Sequence, residues 1–296
     1  MVKIIGESGA ASLGFSPNTL SAFHEALESA DGLSTHLSIS SDGELFCVKD
    51  ITRQGSRISY DIKSHLDDKS IELLGERQLK DCMAKEIESF RTKNGAQIPN
   101  LESLLNIFKN YHHKTLILHT RGENSPKALQ RFLSEKEIKL SHNFNEILSI
   151  GYEAYDLTYL KYNAPRLKSG LKLYPERYES GIRLFPWSHK NFGSCLVYRP
   201  EIFDKDIIKK MSPDYFALEI ASVRDNTIRH IKRRYPKAQI ALWFDQEPKP
   251  DDGYALLERL KNEIIGPHIS YAMTKYPRAL KSQLARHNLM GQKLTV

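Results

Sequence analysis

Short strand-forming runs alternate with helix-forming runs along the chain, and this alternation limits the fold more than any other feature of the sequence. In the C-terminal half, residues 215–220 and 239–244 are apolar, β-rich runs, and each is followed by a run of helical spacing, at 225–234 and 254–264. Such an alternation predicts a parallel sheet with its connecting helices outside. With about eight repeats, the α/β fold that we expect is a closed (β/α)₈ TIM barrel.

The length and composition of the chain agree with one such barrel. A chain of 296 residues with 40% hydrophobic and 9% aromatic residues can build a substantial core. No apolar run reaches the roughly 18 residues of a membrane span, and the N-terminus does not resemble a secretory signal. The cysteines Cys47, Cys82 and Cys195 are scattered, which favours free thiols in a reducing compartment and therefore a cytoplasmic protein.

The net charge of +7 and the isoelectric point near 9.1 have two interpretations. One is attraction to an anionic partner, and the other is a modest excess of lysine on a solvated surface. The densest basic stretch, residues 229–237, lies at the end of a predicted helix, where the helix dipole favours cations. Because no basic motif is interleaved with aromatic residues, we do not expect a nucleic-acid partner.

The N-terminal part of the chain predicts a helix followed by a buried strand. Asn18 or Thr19 can cap the start of a run with helical spacing. Residues 33–39 then alternate with a period of two, so Ser34 and His36 share one face of a strand. Because TIM-barrel active sites lie at the C-terminal ends of the strands, polar residues there are the candidates for a functional site.

The layout of this region resembles the opening of the glycerophosphodiester phosphodiesterase family. The family pattern runs His-Arg-Gly-Ala, Pro-Glu-Asn-Thr-Leu-x-Ala-Phe, Ala-Asp-x-Ile-Glu-x-Asp-Val, Asp-Gly and Val-x-His-Asp. The positions that match it here are Gly9, Ala10, Asn18, Thr19, Leu20, Ala22, Phe23, Ala26, Ala30, Asp31, Gly32, Asp42, Gly43 and Asp50. The resemblance implies a TIM barrel of the PLC-like phosphodiesterase type. It also implies a single domain over residues 1–296, with a small inserted subdomain at about 51–97 after the third strand.

The resemblance places different residues at the catalytic positions of the pattern. Glu7 and Ser8 stand where the family has its catalytic His and its phosphate-binding Arg, and Lys49, at the end of the third strand, stands where it has its second catalytic His. A lysine near its ordinary pKa is a poor general base at neutral pH. The usual acid–base pair is therefore not expected in this chain.

The metal-binding positions implied by the resemblance also differ. The carboxylates that would hold a hard divalent cation are replaced by Ser34, His36 and His119, and His119-x-Arg121 stands in place of the family's Glu-x-Lys. Ca²⁺ and Mg²⁺ require oxygen ligands, mainly carboxylates. We therefore expect no metal or other cofactor.

The predicted ligand-binding residues are Glu7, Ser34, His36, Lys49, His119, Arg121 and Trp243. The basic residues and imidazoles among them suit an anion pocket, since Arg in particular makes bidentate contacts with phosphate. They are equally compatible with a structural network of hydrogen bonds and ion pairs. A third interpretation, a transition-metal site of His36, His119 and Glu7, has no support from local spacing.

Two functional hypotheses follow. In the first, which we favour, the chain is a catalytically degenerate barrel, a pseudoenzyme that binds an anionic, phosphorylated ligand or a protein partner. In the second, it is an active phosphoric diester hydrolase in lipid or glycerophosphodiester metabolism. Its site would then be rebuilt from Glu7, His36, Lys49 and His119, without a metal.

Overall fold

The computed structural model describes most of the chain. The described residues are 2–9, 15–49, 51–54, 57–60, 62–111, 113–120, 124–140, 147–151, 154–174, 176–178, 195–244, 252–261 and 266–293. Of the predicted site residues, Arg121 lies outside these ranges.

The described part of the chain contains strands and helices in the alternating order that the sequence predicts. The strands are β1 (Lys3–Glu7), β2 (Gly32–Ile39), β3 (Leu45–Cys47), β4 (Ile51–Gln54), β5 (Arg57–Tyr60), β6 (Thr115–Thr120), β7 (Ile147–Gly151), β8 (Lys168–Lys172), β9 (Glu176–Tyr178), β10 (Cys195–Val197), β11 (Tyr215–Glu219), β12 (Gln239–Trp243) and β13 (Ile269–Thr274). The helices are α1 (Leu20–Ser29), α2 (Asp68–Leu74), α3 (Ala84–Ser89), α4 (Leu101–Phe108), α5 (Ser125–Leu140), α6 (Ala154–Asn163), α7 (Pro200–Phe203), α8 (Asp206–Met211), α9 (Asp225–Arg234), α10 (Asp252–Lys261) and α11 (Pro277–Lys293).

Eight of these strands form a closed parallel barrel, which confirms the predicted TIM-barrel fold. Their order around the barrel is β1, β2, β6, β7, β8, β11, β12 and β13, and β13 pairs with β1 to close it. Every residue of β6, β7 and β11 is buried. This is the burial expected of parallel strands with side chains inside the barrel and helices outside.

The third strand is an addition to the barrel and not one of its eight strands. β3 pairs antiparallel with β2, with Leu37 opposite Cys47. The turn before it contains Gly43 at φ 91, a conformation that glycine adopts readily. Because so short a connection joins antiparallel strands only, β3 folds back onto β2, and the insertion follows it as predicted.

Helix α1 has the N-cap and the buried face that the sequence predicts. Thr19 is the N-cap residue, and its side chain accepts a hydrogen bond from the backbone N–H of Ala22. Phe23, Ala26 and Leu27 are fully buried against the sheet. The helix therefore fixes the loop that leaves the C-terminal end of β1.

Two glycines of the family-like pattern are required by close packing. A Cβ at Gly9, which has φ 78, would lie 2.7 Å from the backbone of Ala22, and one at Gly32 would lie 2.1 Å from the carbonyl oxygen of Thr115. Both distances are far below van der Waals contact. These glycines thus hold α1 close to β1 and allow β2 to pair with β6.

Apolar side chains fill the barrel interior as well as the layer beneath the helices. The interior cluster consists of Ile5, Ile117, Leu148, Ile150, Tyr215, Ala217, Ala241, Trp243, Tyr271 and Met273. Because side chains alternate along a strand, the residues two positions after Ile5, Ile117 and Ala217 share the inward face. Those residues are Glu7, His119 and Glu219.

The insertion between β3 and α4 has a small apolar core of its own. This core consists of Phe46, Val48, Ile62, Leu66, Leu74, Leu79, Cys82, Ile87, Phe90 and Ile98. The Asp42 carboxylate ties the insertion to the β2–β3 turn by accepting from the backbone N–H of Ala84 at 2.9 Å. Hydrogen bonds, first of all from Ser40, hold the pKa of Asp42 below its ordinary value.

No helix among the described residues is long and apolar enough to cross a membrane.

Candidate functional site

Inward-facing side chains at the C-terminal ends of the barrel strands form one cluster, which we call the mouth cluster. Its described members are Glu7, Ser34, His36, His119, Lys172, Glu219 and Trp243. Five of them are predicted site residues, whereas Lys172 and Glu219 are additions from the structure. Six of the seven have less than 9% of their surface exposed, and Glu7 is half-buried.

Two predicted histidines lie side by side in the mouth cluster. His36 on β2 pairs in register with His119 on β6. Their rings stack with centroids 4.7 Å apart and an interplanar angle of 19°. Both residues are buried, at 2% and 0% exposure. The parallel stack places both imidazoles on one wall of the barrel, next to Ser34.

Lys172 extends across the barrel interior. It ends β8, the fifth barrel strand, whereas its partner Glu7 ends β1, the first, and these two strands lie on opposite sides of an eight-stranded barrel. The Lys172 Nζ lies 4.0 Å from Oε1 of Glu7 and 4.4 Å from the centroid of the Trp243 ring. A buried ammonium is thus held by a carboxylate and by the face of an indole.

Trp243 is part of an aromatic pair beneath this ammonium. Tyr174 meets the indole edge-on, with ring centroids 5.2 Å apart and an interplanar angle of 72°. Among the described residues, no group accepts a hydrogen bond from the buried Nε1 of Trp243. Trp243 therefore lies in the barrel interior, and its N–H group is directed to no described acceptor.

Glu219 brings a second carboxylate to the inward face, on the strand next to Trp243. It pairs in register with Trp243 and is buried. The Ser222 hydroxyl donates to Oε2 of Glu219. The backbone N–H of Glu219 donates to the Tyr198 hydroxyl at 2.6 Å. These bonds fix the position of Glu219.

The turn after β1 holds the backbone in a conformation that few residues adopt. Ser8 has φ 57, and Gly9 follows at φ 78. The Ser8 N–H donates to the carbonyl of Ser34 at 2.7 Å, and its own carbonyl accepts from Asn18. Asn18 also has φ 57, and its side-chain oxygen accepts from the Thr35 hydroxyl at 3.0 Å. A left-handed Ser8 that persists in a buried turn costs about 1–3 kcal/mol and is a feature typical of functional sites.

Ser34 stands beside Glu7 on the neighbouring strand. The two residues pair in register, and Ser34 is fully buried. Its hydroxyl has no hydrogen-bond partner among the described residues. Ser34 therefore offers an uncommitted hydroxyl at the place where the Lys172–Glu7 pair reaches the first strand.

Lys49 follows β3 and lies beside the end of β2. The hydroxyl of Ser38, two residues after His36, donates to the carbonyl of Val48, which precedes Lys49. This bond places the backbone of Lys49 next to the inward face of β2, and the residue is half-buried.

The thiol of Cys47 lies behind this part of the sheet. It is fully buried, and burial raises its pKa far above the ordinary range, an effect that the Thr35 hydroxyl only partly offsets. Cys47 is therefore a packing residue rather than a nucleophile of the mouth cluster.

The side chains at the three positions that the family pattern gives to metal ligands are not those that a hard divalent cation prefers. These three positions carry the hydroxyl of Ser34 and the imidazoles of His36 and His119, whereas Ca²⁺ and Mg²⁺ bind mainly carboxylates. Over the part of the chain that the structure describes, no three His, Cys, Asp or Glu residues converge in a way that could hold a metal ion.

Eight parallel strands with a polar mouth define the class of protein as a TIM barrel, and solved structures show the same fold over nearly the whole chain. A glycerophosphodiester phosphodiesterase from Agrobacterium tumefaciens matches with a TM-score of 0.65 at 14% identity, covering 96% of this chain and 100% of its own. The corresponding enzyme from Thermotoga maritima gives a TM-score of 0.59 at 14% identity, covering 95% and 98%. A phosphodiesterase from Oleispira antarctica, solved with the product sn-glycerol-3-phosphate, gives 0.64 at 13% identity, covering 96% of each chain.

The fold is therefore that of glycerophosphodiester phosphodiesterases, at sequence identities too low to carry their chemistry across. No protein-family model matches the sequence, and no curated protein matches it at a significant level. What the mouth cluster does has to be argued from its own residues.

Proposed function

We propose that this protein is a degenerate barrel of the glycerophosphodiester phosphodiesterase fold that binds a phosphorylated, anionic ligand and does not hydrolyse it. The observation that carries the proposal is the composition of the mouth cluster. Imidazole, hydroxyl and ammonium groups of His36, His119, Ser34 and Lys172 face the interior where a metal-dependent diesterase requires a set of carboxylates.

The residues that match the family pattern maintain the fold, whereas the residues of the mouth cluster differ from that pattern. Gly9, Thr19 and Gly32 each have a structural role, as a tight turn, a helix cap and a close strand pairing. Because such residues preserve the barrel whatever its mouth contains, their retention favours a conserved fold over a conserved reaction. We therefore infer that the chain uses the pocket for binding.

The charges available at the mouth favour an anion. Lys172 lies within it, Lys49 stands at its rim, and Arg121 directly follows β6 in the sequence. Charge-assisted hydrogen bonds from such groups to phosphate oxygens are the strongest that side chains make. The carboxylates of Glu7 and Glu219 offset part of this charge.

Binding of inorganic phosphate and of sn-glycerol 3-phosphate, measured by isothermal titration calorimetry, tests the proposal. We expect Lys49→Ala and Arg121→Ala each to weaken binding by about tenfold, as the loss of a charge-assisted hydrogen bond predicts. Lys237→Ala removes an exposed lysine beyond the end of α9 and should leave the affinity unchanged. A parent protein that binds neither probe would exclude the proposal.

A second candidate, a phosphoric diester hydrolase without a metal, has one observation in its favour. Glu7 and the stacked pair of His36 and His119 lie on adjacent strands, so a carboxylate and two imidazoles share the mouth cluster. Such groups can act as general acids and bases. This candidate predicts turnover of glycerophosphocholine in the presence of EDTA, abolished in a folded Glu7→Ala/His36→Ala variant.

A further inference from the structure

Lys172 is the one residue of the mouth cluster whose charged group lies in the middle of the barrel. Its side chain starts on the fifth strand and is 4% exposed, and its Nζ ends 4.0 Å from the Glu7 carboxylate on the first strand. Between these two strands it passes over the face of Trp243, 4.4 Å from the ring centroid. The ammonium thus lies buried within the mouth cluster, between a carboxylate and an indole.

The distance from Lys172 to Glu7 is longer than a direct hydrogen bond. A direct charge-assisted hydrogen bond between an ammonium and a carboxylate is about 2.7–2.9 Å long, whereas this pair is separated by 4.0 Å. The attraction is therefore ionic and is not closed by a short bond.

Two neutral donors next to this ion pair have an unmet hydrogen-bonding requirement within the described part of the structure. These donors are the hydroxyl of Ser34, which pairs in register with Glu7, and the Nε1 of Trp243, on which Lys172 rests. Both residues are almost fully buried, at 0% and 3% exposure. A buried donor without an acceptor is unfavourable, so a ligand that brings several acceptor oxygens is favoured here.

We propose that Lys172 is the principal anion-binding residue of the mouth cluster and that Glu7 is its counter-ion in the unliganded protein. A phosphate group of the ligand replaces Glu7 as the ion-pair partner of Lys172. It also accepts hydrogen bonds from the Ser34 hydroxyl and the Trp243 N–H. This inference rests on the proposed function and adds a binding residue that the sequence pattern does not indicate. It also assigns Glu7 a role that opposes binding.

The opposing roles of the two residues make the test specific. Calorimetric titration with inorganic phosphate and with sn-glycerol 3-phosphate compares the parent with Lys172→Met, Glu7→Gln and the double variant. Methionine keeps the length and the apolar contact with Trp243, and glutamine keeps the shape of Glu7. We expect Lys172→Met to weaken binding by about tenfold or more and Glu7→Gln to tighten it by about threefold or more, because a competing charge is removed.

The double variant and a matched lysine guard against a change in folding. Lys172→Met alone leaves Glu7 without its counter-ion and can lower stability, but the double variant removes both charges of the pair and should still bind more weakly than the parent. Lys168, exposed at the other end of the same strand, is the control, and Lys168→Met should bind as the parent does.

The outcomes separate this inference from the proposed function. One result would contradict the role of Lys172 and leave the proposed function standing. In that result the parent binds, Lys49→Ala binds more weakly, and Lys172→Met binds as the parent does. Weaker binding by Glu7→Gln would overturn the counter-ion role. If the parent binds neither probe, the proposed function fails and this inference fails with it.

Discussion

The two charges of the ion pair that crosses the barrel should be strongly coupled in their effect on stability, and the size of this coupling can be worked out from the geometry of the pair. Lys172 and Glu7 are separated by 4.0 Å, with side-chain exposures of 4% and 14%. At an effective dielectric constant of about 20, two unit charges at this distance attract by about 4 kcal/mol. Removal of one partner from a buried pair typically costs about 3–5 kcal/mol, because the other charge remains buried without compensation.

We therefore predict a non-additive double-mutant cycle. Lys172→Met should lower the free energy of unfolding by about 3 kcal/mol, whereas Glu7→Gln/Lys172→Met should lie within about 1 kcal/mol of the parent, since both charges of the pair are then removed. The coupling energy is the sum of the two single-variant losses minus the loss of the double variant, and it should therefore be at least about 2 kcal/mol. Equilibrium unfolding in urea, followed by circular dichroism and by tryptophan fluorescence, measures each value, provided that both signals give the same transition.

The salt dependence provides the control for this reasoning. A buried pair is screened little by salt, so the coupling should persist between 0.05 and 0.5 M NaCl, concentrations at which the Debye length falls from about 14 to about 4 Å. A coupling energy below about 0.5 kcal/mol, the scale of an exposed ion pair, would refute the claim that Lys172 is held across the barrel by Glu7.

Three further predictions concern the scaffold. Gly32→Ala should prevent folding or destabilise the protein by more than about 4 kcal/mol, because the new Cβ would lie 2.1 Å from the Thr115 carbonyl oxygen; the soluble yield and thermal midpoint check this. Gly95→Ala is the comparison: its Cβ would meet no atom within 4 Å, so it should cost only the strain of an alanine at φ 75, about 1–2 kcal/mol. Thr19→Ala should cost about 1 kcal/mol in urea unfolding, through loss of the cap on α1, and Thr19→Ser should restore most of it. Burial raises the pKa of Cys47 in the folded state above its unfolded value of about 8.5, so the stability that depends on its protonated thiol is complete below that pH and falls above it; Cys47→Ala should lose less stability between pH 8 and pH 10 than the parent does, and equal losses would contradict this.

Most of the fold could be predicted because local sequence patterns and barrel topology agree. The runs at 215–220 and 239–244 become β11 and β12, and the run at 225–234 becomes α9. The alternation of Ser34 and His36 on one strand face follows from the two-residue period, and β2 is buried as that pattern requires. Thr19, one of the two predicted caps, is the residue that caps α1.

What the sequence pattern did not predict depends on long-range pairing. The position of β3 outside the barrel follows from a tight turn that forces an antiparallel return onto β2, whereas the alternation of elements alone treats each strand as a barrel member. The insertion is polar on average, yet ten buried apolar residues build a core within and beside it. Their spacing is irregular because the local helices are short.

The arrangement of the site residues also depends on long-range pairing, which the sequence pattern does not show. His36 and His119 are 83 positions apart in sequence, and only the parallel register of β2 and β6 stacks their rings. Lys172 was missed because a lysine at the end of a short strand resembles a solvated strand end. The sequence feature that could have identified Lys172 is its position in the strand. Because side chains alternate, Lys172 shares the inward face with Gly170, two residues earlier, and it lies at the C-terminal end of the strand, where the mouth is.

The most direct test of the account is a phosphorus NMR experiment with glycerophosphocholine and the parent protein, with EDTA and then with Mg²⁺. Binding without hydrolysis predicts a shifted or broadened diester resonance that persists for hours. It also predicts that no sn-glycerol 3-phosphate resonance grows in, and that the shift is lost in the Glu7→Gln/Lys172→Met protein. Growth of the product resonance with the parent, and not with Glu7→Ala/His36→Ala, would contradict the account and establish a hydrolase with a rebuilt site.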